Sequence, residues 1–348
     1  MSRNYKYYLP FIFLGLMWAL VLGCDCMGDD DPPVGNATYY VSPAGDNSAD
    51  GLSRKSAFQT IGHALDILLA GETVIILSGT YNEGLRLENR GSADASITIK
   101  GENGTSMLDG EESMKAAFWI SESVNIIIDN LEIANYTDAG IVVTNSADIT
   151  IKNIVAHDNG KAAVSLWAEG YGIHADDSIN VTIENNDAYN NGPQPQLPGK
   201  LMGTGINCFN IQDSVIRGNL SHHNVGGGIL VEDSVNVLVE NNEAQYNDLD
   251  ASVDEWWDGG IWVDGGHDIT VRNNLFSNNK GPGIEISDED FQEPYGYVFE
   301  NNISTNNYYG IYIWNFGTSD YPSEDILKME NNQITGNTIQ DTWIVPWN

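Results

Sequence analysis

Basic residues and cysteine are scarce in this chain, and each shortage excludes a class of protein. The 348 residues include 15 lysine and arginine residues against 49 aspartate and glutamate residues, which gives a formal net charge of −34. A surface this acidic repels nucleic acid and anionic lipid, and the sequence has no basic patch that would offset it. The three cysteines form no CxxC pair, so we expect neither a disulfide framework nor a cysteine metal site.

The acidity also limits which ligands the protein could hold. A polyanionic glycan would be repelled unless a cation bridged the two surfaces, and Ca²⁺ is the natural bridge because it prefers oxygen ligands. An adaptation to high salt or for solubility explains the same composition without any ligand. The sequence leaves both explanations open.

Apolar runs long enough to cross a membrane are missing as well. The run from Phe11 to Leu22 is too short to span a bilayer comfortably, and it follows the basic residues Arg3 and Lys6. A basic start followed by a short apolar run indicates an export signal. We therefore assign residues 1–23 to a signal peptide and residues 24–36, which are acidic and contain proline, to a flexible tether.

The end of the signal carries a second indication. Val21-Leu22-Gly23-Cys24 resembles the cleavage box of bacterial lipoproteins. That resemblance implies lipidation of Cys24 and an exported protein anchored to a membrane of the cell envelope. Leu22 departs from the small residue usual at its position, so plain secretion is the alternative. The remaining cysteines are Cys26, in the tether, and Cys208, which is expected to be a small core residue.

The chain is rich in asparagine at regular intervals from about residue 117 to the C-terminus. An aliphatic segment is followed by one asparagine and, five residues on, by a second asparagine or an aspartate. Repetition at 20–50 residues indicates a solenoid, and asparagine amides can donate and accept along such a stack. The first positions are Asn130, Asn153, Asn186, Asn219, Asn242, Asn274, Asn302 and Asn332, and the second are Asn135, Asp158, Asn191, Asn224, Asn247, Asn279, Asn307 and Asn337.

Each repeat then closes on a Gly-hydrophobic-x-hydrophobic segment, for example Gly228-Ile-Leu-Val231 and Gly260-Ile-Trp-Val263. The base repeat is about 23 residues long, with insertions in some units. Alternation with a period of two indicates strands in each repeat. A single coil has too little apolar surface to fold alone, so we expect stacked coils with parallel pairing. The sequence therefore predicts an all-β parallel β-helix with asparagine ladders.

At this level the chain resembles the right-handed parallel β-helix proteins of the pectin-lyase-like superfamily, over roughly residues 37–348. The N-terminal segments Tyr39-Tyr-Val-Ser-Pro-Ala-Gly-Asp46 and Gly79-Thr-Tyr81 match it too. We assign residues 37–116 to an N-terminal cap with the first coils and residues 117–348 to the repeats. Residues 57–70 have the pattern of an amphipathic helix that caps the open end of the core. The resemblance fixes the fold better than the activity, because lyases, hydrolases, epimerases and non-enzymes share it.

Two columns of outward-facing residues follow from the Gly-hydrophobic-x-hydrophobic strands. The superfamily resemblance implies that this strand face holds a polysaccharide. Acidic and aromatic residues collect in the middle and C-terminal coils of both columns. The first column is Val142, His174, Asn207, Leu230, Trp262, Glu285 and Tyr312, and the second is Thr144, Asp176, Phe209, Glu232, Asp264, Ser287 and Trp314.

Three acids in these columns are the candidate catalytic group. Glu232 and Asp264 hold equivalent positions in neighbouring coils, about 5 Å apart, so they would share a proton or bind a cation such as Ca²⁺. Glu285 would lie about 8 Å from Asp264, within the window for an inverting glycosidase pair. Asp176 with His174 is a second acidic site. Each acid taken singly could equally be a solvated surface residue.

Insertions before these strands, at residues 161–171, 192–204 and 248–259, would wall the face into a groove. Aromatic faces beside acids suit sugar rings, although they could merely pack the loops onto the solenoid. A lyase would need a nearby base, usually lysine or arginine in this superfamily, yet the columns contain neither, and only loop residues could reach in. The expected sugar-binding residues are Trp257, Trp262, Tyr312, Trp314, Asn207, Lys200 and Lys280.

The sequence therefore predicts an exported protein that binds and cleaves a polysaccharide, by hydrolysis or elimination, with Ca²⁺ as the conceivable cofactor. The alternative is a cell-surface β-helix that binds glycan without catalysis. The separating feature is a convergent acid and base set, which one sequence indicates but does not establish.

Overall fold

The computed structural model describes residues 33–102, 105–161, 170–193, 203–248, 258–289, 294–316 and 322–345. The predicted signal peptide, Cys24 and most of the tether lie outside these residues, as do the larger parts of the three insertions. No helix within the described ranges is long and apolar enough to cross a membrane.

Three parallel sheets wind around one apolar column, and every strand except the first and last of each sheet pairs with the equivalent strands of the coils before and after it. Sheet 1 runs through Thr38–Val41, Thr73–Ile76, Ile97–Gly101, Val124–Asp129, Ala147–Lys152, Ile179–Glu184, Gln212–Arg217, Val235–Glu240, His267–Arg272, Tyr297–Glu300 and Leu327–Glu330. Sheet 2 runs through Leu85–Glu88, Phe118–Ser121, Ala139–Thr144, Tyr171–Asp176, Ile206–Phe209, Ile229–Glu232, Ile261–Asp264, Pro282–Ser287, Tyr309–Ile313 and Gln340–Ile344. Sheet 3 runs through Gly79–Tyr81, Ser106–Asp109, Glu132–Ala134, Val155–His157, Asp187–Tyr189, Leu220–His222, Glu243–Gln245, Leu275–Ser277, Ile303–Thr305 and Gln333–Thr335.

The predicted parallel β-helix is therefore confirmed, and the sheets cross residue 117 without interruption. Alternate strand residues point inward and form one continuous buried cluster from Val41 to Leu327. Cys208 belongs to it, fully buried as predicted, and its burial raises the pKa of the thiol to about 12. Each coil buries its apolar side chains mainly against the coils above and below, which is why a stack is stable where one coil is not.

Two asparagine ladders run through the middle and C-terminal coils, one at each of two turns. In the first, the Asn219 side-chain amide donates to Asn242 Oδ1 at 2.9 Å and to the Ile183 carbonyl at 2.9 Å, while the Asn219 backbone N–H donates to the same Asn242 oxygen. The ladders therefore satisfy buried turn groups without water. Their members are Asn186, Asn219, Asn242, Asn274, Asn302 and Asn332 at one turn, and Asn159, Asn191, Asn224, Asn247, Asn279, Asn307 and Asn337 at the other.

The sequence assignment of the first rungs was wrong by one residue. The backbone N–H of Ile154 donates to Asn186 Oδ1 at 2.9 Å, so Ile154 holds the ladder position and Asn153 precedes it. Tyr136 likewise donates to Asn159 Oδ1 at 3.1 Å. The misassigned residues Asn130, Asn153, Asn135 and Asp158 instead occupy the left-handed turn position, with φ between 53° and 62°.

The predicted cap helix is present but shorter than residues 57–70. It spans Ile61–Ile67, and Leu68 after it is extended. Thr60 caps its N-terminus, where the Glu83 carboxylate also accepts the backbone N–H groups of Ile61 and Gly62 at 2.8 Å each. The helix buries Ile61, Ala64 and Leu65 in the core cluster, against the first strands of sheets 1 and 2.

We expect the two asparagines of an Asn-Asn doublet to respond differently to substitution. Asn242→Ala should lower the free energy of unfolding by about 1–3 kcal/mol, because it leaves the buried Ile216 carbonyl without its donor. Asn241→Gly should change it by less than about 1 kcal/mol, because glycine adopts the φ of 55° at this exposed turn without strain. Guanidinium unfolding of both variants tests this, and equal destabilisation by the two would contradict the assigned roles.

Candidate active site

The outer face of sheet 2 carries the two predicted columns in the predicted register. His174 pairs with Asn207, Leu230 with Trp262, and Trp262 with Glu285. In the second column Glu232 pairs with Asp264, and Asp264 with Ser287. Parallel pairing places these backbones about 4.8 Å apart. The sequence-based alignment of the candidate acids along one strip is therefore confirmed.

The first column is longer than the sequence pattern indicated. It continues through Trp119, which pairs with Val142, to Arg86, which pairs with Trp119. At the other end Tyr312 pairs with Trp343. The conclusion that the strip contains no lysine or arginine was therefore wrong. That conclusion was drawn only from the Gly-hydrophobic-x-hydrophobic segments, and the strand Leu85–Glu88 does not have this pattern.

Glu285 is the most deeply buried of the candidate acids, at 1% exposure. The Trp314 indole N–H donates to its Oε1 at 2.7 Å, and its buried Oε2 has no hydrogen-bond partner among the described residues. Burial raises the pKa of this carboxyl well above its ordinary value, and the nearby charges of Asp258, Asp264 and Asp248 raise it further. Burial therefore favours the protonated form of this carboxyl.

Asp264, 3% exposed, lies on the neighbouring strand in a polar cradle. Its Oδ1 accepts the Ser287 hydroxyl and, at 3.0 Å, the backbone N–H of Glu289. The Trp262 indole donates to the same Ser287 hydroxyl at 2.7 Å. Burial raises the pKa of Asp264 to about 7, against the opposing effect of the Ser287 hydrogen bond and with the help of the charges of Glu289 and Asp233. Asp264 is thus poised to exchange a proton near neutrality.

The two carboxyls share one small volume with the two indoles. The rings of Trp262 and Trp314 lie 6.3 Å apart between centroids, tilted by 36°. Asp264 and Glu285 are offset by one strand and two residues, which corresponds to about 8 Å along the sheet. This value relates the two backbones; two acids in different environments on one face can act as proton donor and proton acceptor on opposite sides of a bond.

The environment is more enclosed than the predicted open groove. Trp262 is only 4% exposed and Asn207 only 5%, although both point outward from the sheet. Glu232, Tyr312 and Trp314 are half-buried. Three further carboxyls beside the pair or on adjoining turns are also at most 3% exposed, namely Asp248, Asp258 and Asp288. The charge of a carboxylate is costly to bury, which accounts for the raised pKa values.

The predicted metal role of Glu232 and Asp264 rests on their pairing alone. Within the described ranges, no set of three or more His, Cys, Asp or Glu side chains is arranged to hold a metal ion. Asp264 Oδ1 already accepts hydrogen bonds from Ser287 and Glu289, so a cation at this oxygen would compete with two donors. Calcium binding stays a prediction.

The second-rank pair, His174 and Asp176, lies further toward the N-terminus. His174 Nε2 is 3.4 Å from Asp176 Oδ2, its Nδ1 is 2.9 Å from Asn207 Oδ1, and its ring stacks on Tyr171. Burial raises the pKa of Asp176, but hydrogen bonds from His174 and Thr144 outweigh it, so the pKa is lowered. Leu230 separates this group from Trp262 in the column, so the structure forms two sites rather than one.

Other predicted contributors fall outside this centre. Lys200 and Trp257 are not among the described residues. Lys280 is exposed in the turn before the strand Pro282–Ser287. Arg217 and Arg272 lie on sheet 1, where they pair with Glu184 and Glu240.

Sequence reasoning missed the partners that hold the acids. Ser287 was only a member of the second column. Trp314 and Trp262 were expected to stack on sugar, whereas Trp314 donates to the Glu285 carboxyl and Trp262 to the Ser287 hydroxyl. The signal was available in the register, because Ser287 is the direct neighbour of Asp264. The hydrogen-bond partners of the two indoles could not be predicted from the sequence, because they depend on the side-chain rotamers.

Three in-register sheets around one apolar column define a right-handed parallel β-helix. The family model described as the right handed beta helix region matches residues 76–251 and 167–339, and the chain belongs to this family. YwoF, an uncharacterized protein of Bacillus subtilis, is 29% identical over 312 residues, which are 80% of this chain and 64% of that protein. The chain therefore spans less than two thirds of the length of YwoF. A probable pectate lyase A of Aspergillus fumigatus is 30% identical over 135 residues, covering 36% of this chain and 38% of the lyase.

Solved structures share the fold at lower identity. Pectate lyase Pel9A has a TM-score of 0.66 and 19% identity, over 90% of this chain and 80% of that one. The GH136 lacto-N-biosidase of Eubacterium ramulus has a TM-score of 0.59 and 13% identity, over 89% of this chain and 67% of that one. One of these proteins is a lyase and the other a glycosidase, so the shared fold does not decide the chemistry.

The buried acids should make the fold less stable at alkaline pH. Asp264 has a folded pKa above its ordinary 3.8, so its contribution to stability is present below about pH 4 and is lost as the pH rises through about 7. The loss is on the order of 4 kcal/mol, which follows from a pKa of 3.8 in the unfolded chain and about 7 in the folded protein. Asp264→Asn should therefore flatten the fall in melting temperature between pH 5 and pH 8.

Asp176→Asn is the matched control, because the pKa of Asp176 is lowered and its stabilising contribution is lost toward acid. This variant should be less stable than the wild type at neutral pH. An Asp264→Asn melting curve with the wild-type dependence on pH would contradict the assignment of that pKa.

Proposed function

We propose that the protein is an exported, polysaccharide-active β-helix that cleaves glycosidic bonds, with Glu285 as the general acid and Asp264 as the general base. The observation that carries the proposal is the pair of buried carboxyls on one sheet face, both with pKa values that burial raises above those of ordinary acids. Perturbed acids of this kind cluster at functional sites. The lyases and glycosidase that share the fold make a glycan the expected substrate class.

The proton states fit hydrolysis with inversion. Burial raises the pKa of Glu285 and favours its protonated form, which in this role delivers a proton to the oxygen of the leaving sugar. Asp264, half-ionised near pH 7, can remove a proton from the water that attacks the opposite side of the sugar ring. The backbones of the two residues lie about 8 Å apart by strand geometry, which is compatible with the wider carboxyl separation of inverting enzymes. The hydroxyl of Ser287 and the indole of Trp314 keep the two carboxyls in place.

Elimination is less well supported at this centre. A lyase must abstract a proton next to a carboxylate and neutralise that carboxylate, which calls for a base and a cation close together. Arg86 is the cation that the structure adds to the strip, and it lies six strand spacings from Asp264 in sheet 2. Lys280 is exposed in a turn, and no ion pair to the acid pair is found for it among the described residues.

The burial of the pair favours a second candidate, a surface protein that binds glycan without cleaving it. With Glu285 at 1% exposure, a polysaccharide reaches the carboxyl only after the neighbouring segments open. If they do not open, the acids are structural and the strip serves for binding alone.

The cellular address forms part of the proposal. The basic start, the short apolar run and the Val21-Leu22-Gly23-Cys24 segment support export with lipid on Cys24, so that a membrane anchor would present the β-helix to extracellular polysaccharide. Calcium would act, if it acts, by joining Glu232 and Asp264 to an acidic glycan. Mass spectrometry of the mature N-terminus and activity with and without chelator decide these two points.

Turnover should depend on both carboxyls. Asp264→Asn and Glu285→Gln should each lower kcat by at least about 100-fold, the contribution of a positioned acid or base. Reducing ends should form without the ultraviolet absorbance of unsaturated products, and kcat/KM should rise with pH through about 7 as Asp264 ionises. A panel of neutral and acidic polysaccharides supplies the substrates.

Glu243→Gln is the control. Glu243 is exposed on sheet 3, so its substitution should leave turnover unchanged. Full activity in a folded Asp264→Asn protein would overturn the catalytic pair. Saturable glycan binding without product across the panel would establish the binding protein instead.

A further inference from the structure

We propose that the N-terminal end of the sheet 2 face is a binding site for a carboxylate-bearing sugar, formed by Arg86, Lys115 and Trp119. The proposal rests on the proposed function only in taking a glycan as the ligand. It concerns a different part of the strip from the acid pair, and it names the chemical class of the sugar.

The site is a depression of about 260 Å³ at the first two strands of sheet 2, with room for a single sugar ring. One side is the segment before the strand Phe118–Ser121, and the other is the start of the strand Leu85–Glu88. Gly84 helps to keep it open, because a Cβ there would lie 3.2 Å from the Ala116 carbonyl oxygen. The lining residues are Gly84, Leu85, Arg86, Met114, Lys115, Ala116 and Trp119.

Arg86 differs from the other described arginines in its partners. Arg54, Arg217 and Arg272 pair with glutamates, and Arg90 donates to backbone carbonyls. Within the described residues, Arg86 has neither kind of partner. The carbon at the centre of its guanidinium lies 5.5 Å from the centroid of the Trp119 ring.

This difference is unusual in a chain with 49 acids and 15 basic residues. Arginines in such a chain readily find carboxylates, as three of the described five do. Arg86 is exposed and is held over an indole that is itself half-buried, so its planar array of donors is oriented and available. A guanidinium presents that array in the geometry of a carboxylate.

The neighbouring groups complete a sugar site. Trp119 offers an apolar ring edge and face beside the cation, which suits the C–H groups of a pyranose. Lys115 adds a second positive charge, and its exposed ammonium lies 3.5 Å from Asp138, a contact that solvent screens. Two cations and an indole around a depression of this size fit a sugar that carries a carboxylate better than a neutral one.

The site lies about 29 Å from Asp264, six strand spacings along sheet 2. It therefore acts on binding rather than on bond cleavage, as a point of attachment for an acidic glycan. Its chemistry also narrows the substrate class, from polysaccharides in general to those that contain uronate.

Equilibrium titration of the purified protein tests the proposal, read by calorimetry and by tryptophan emission at low salt. The probes are a short oligogalacturonate and the same oligosaccharide with its carboxyls reduced to alcohols. All proteins carry Asp264→Asn, so that binding is measured without turnover. The parent protein, which keeps Arg86, should bind the acidic probe saturably and the reduced probe at least about tenfold more weakly.

Variants at Arg86 separate charge from shape. Arg86→Gln should weaken binding of the acidic probe by about tenfold, and Arg86→Lys should retain part of the affinity because the charge persists while the fork is lost. Arg217→Gln removes the same charge from sheet 1 and should leave affinity unchanged. Melting temperatures show that each variant is folded.

Three results would overturn the site. They are equal affinity of Arg86→Gln and its parent, equal affinity for the acidic and reduced probes, and no saturable binding of the acidic probe at millimolar concentration. Tighter binding of a sulfated oligosaccharide than of the oligogalacturonate would replace carboxylate by sulfate and refute the uronate assignment. Loss of turnover in the acid-pair variants is independent of all these outcomes, so each proposal can fail alone.

Discussion

The register between successive coils is the constraint on which this structure depends. Parallel pairing sets every residue about 4.8 Å from its equivalent in the next coil, and a slip of one residue would turn each inward side chain outward. The two asparagine ladders oppose such a slip, because each amide bonds both to the next asparagine and to a carbonyl of the coil before it. The apolar column and the acid pair both exist because this register is kept.

The same constraint explains how far the sequence could be interpreted. Repetition and alternation were enough for the fold and for the alignment of Glu232, Asp264 and Glu285 on one face. They were not enough for the first rungs, because asparagine serves two purposes in these turns. It adopts left-handed backbone at Asn185 and bonds along the ladder at Asn186. Where an early coil has only one asparagine, as at Asn153, the pattern cannot tell which purpose applies.

The site was predictable in position but not in environment. A period of two assigns a side chain to a face of the sheet, but it does not say what lies over that face. Trp262 and Glu285 point outward from sheet 2 and are nevertheless buried. Trp262, which was expected to stack on sugar, instead donates a hydrogen bond to Ser287, the partner of Asp264. Arg86 was missed because its strand lacks the Gly-hydrophobic-x-hydrophobic pattern, although sheet 2 continues through that strand.

The proton state of the buried acids bears on which glycan the face could accept. A net charge of −34 argues against an acidic ligand when every carboxyl is counted as ionised. Burial raises the pKa of Asp264 to about 7 and that of Glu285 well above its ordinary value, so both carboxyls carry less negative charge near neutral pH than ordinary acids do. The face of sheet 2 is therefore less negative at its centre than the composition implies, and Arg86 and Lys115 place two cations at its N-terminal end. In the binding that we propose, the carboxylates of an acidic sugar chain meet this N-terminal end of the face and not the acid pair.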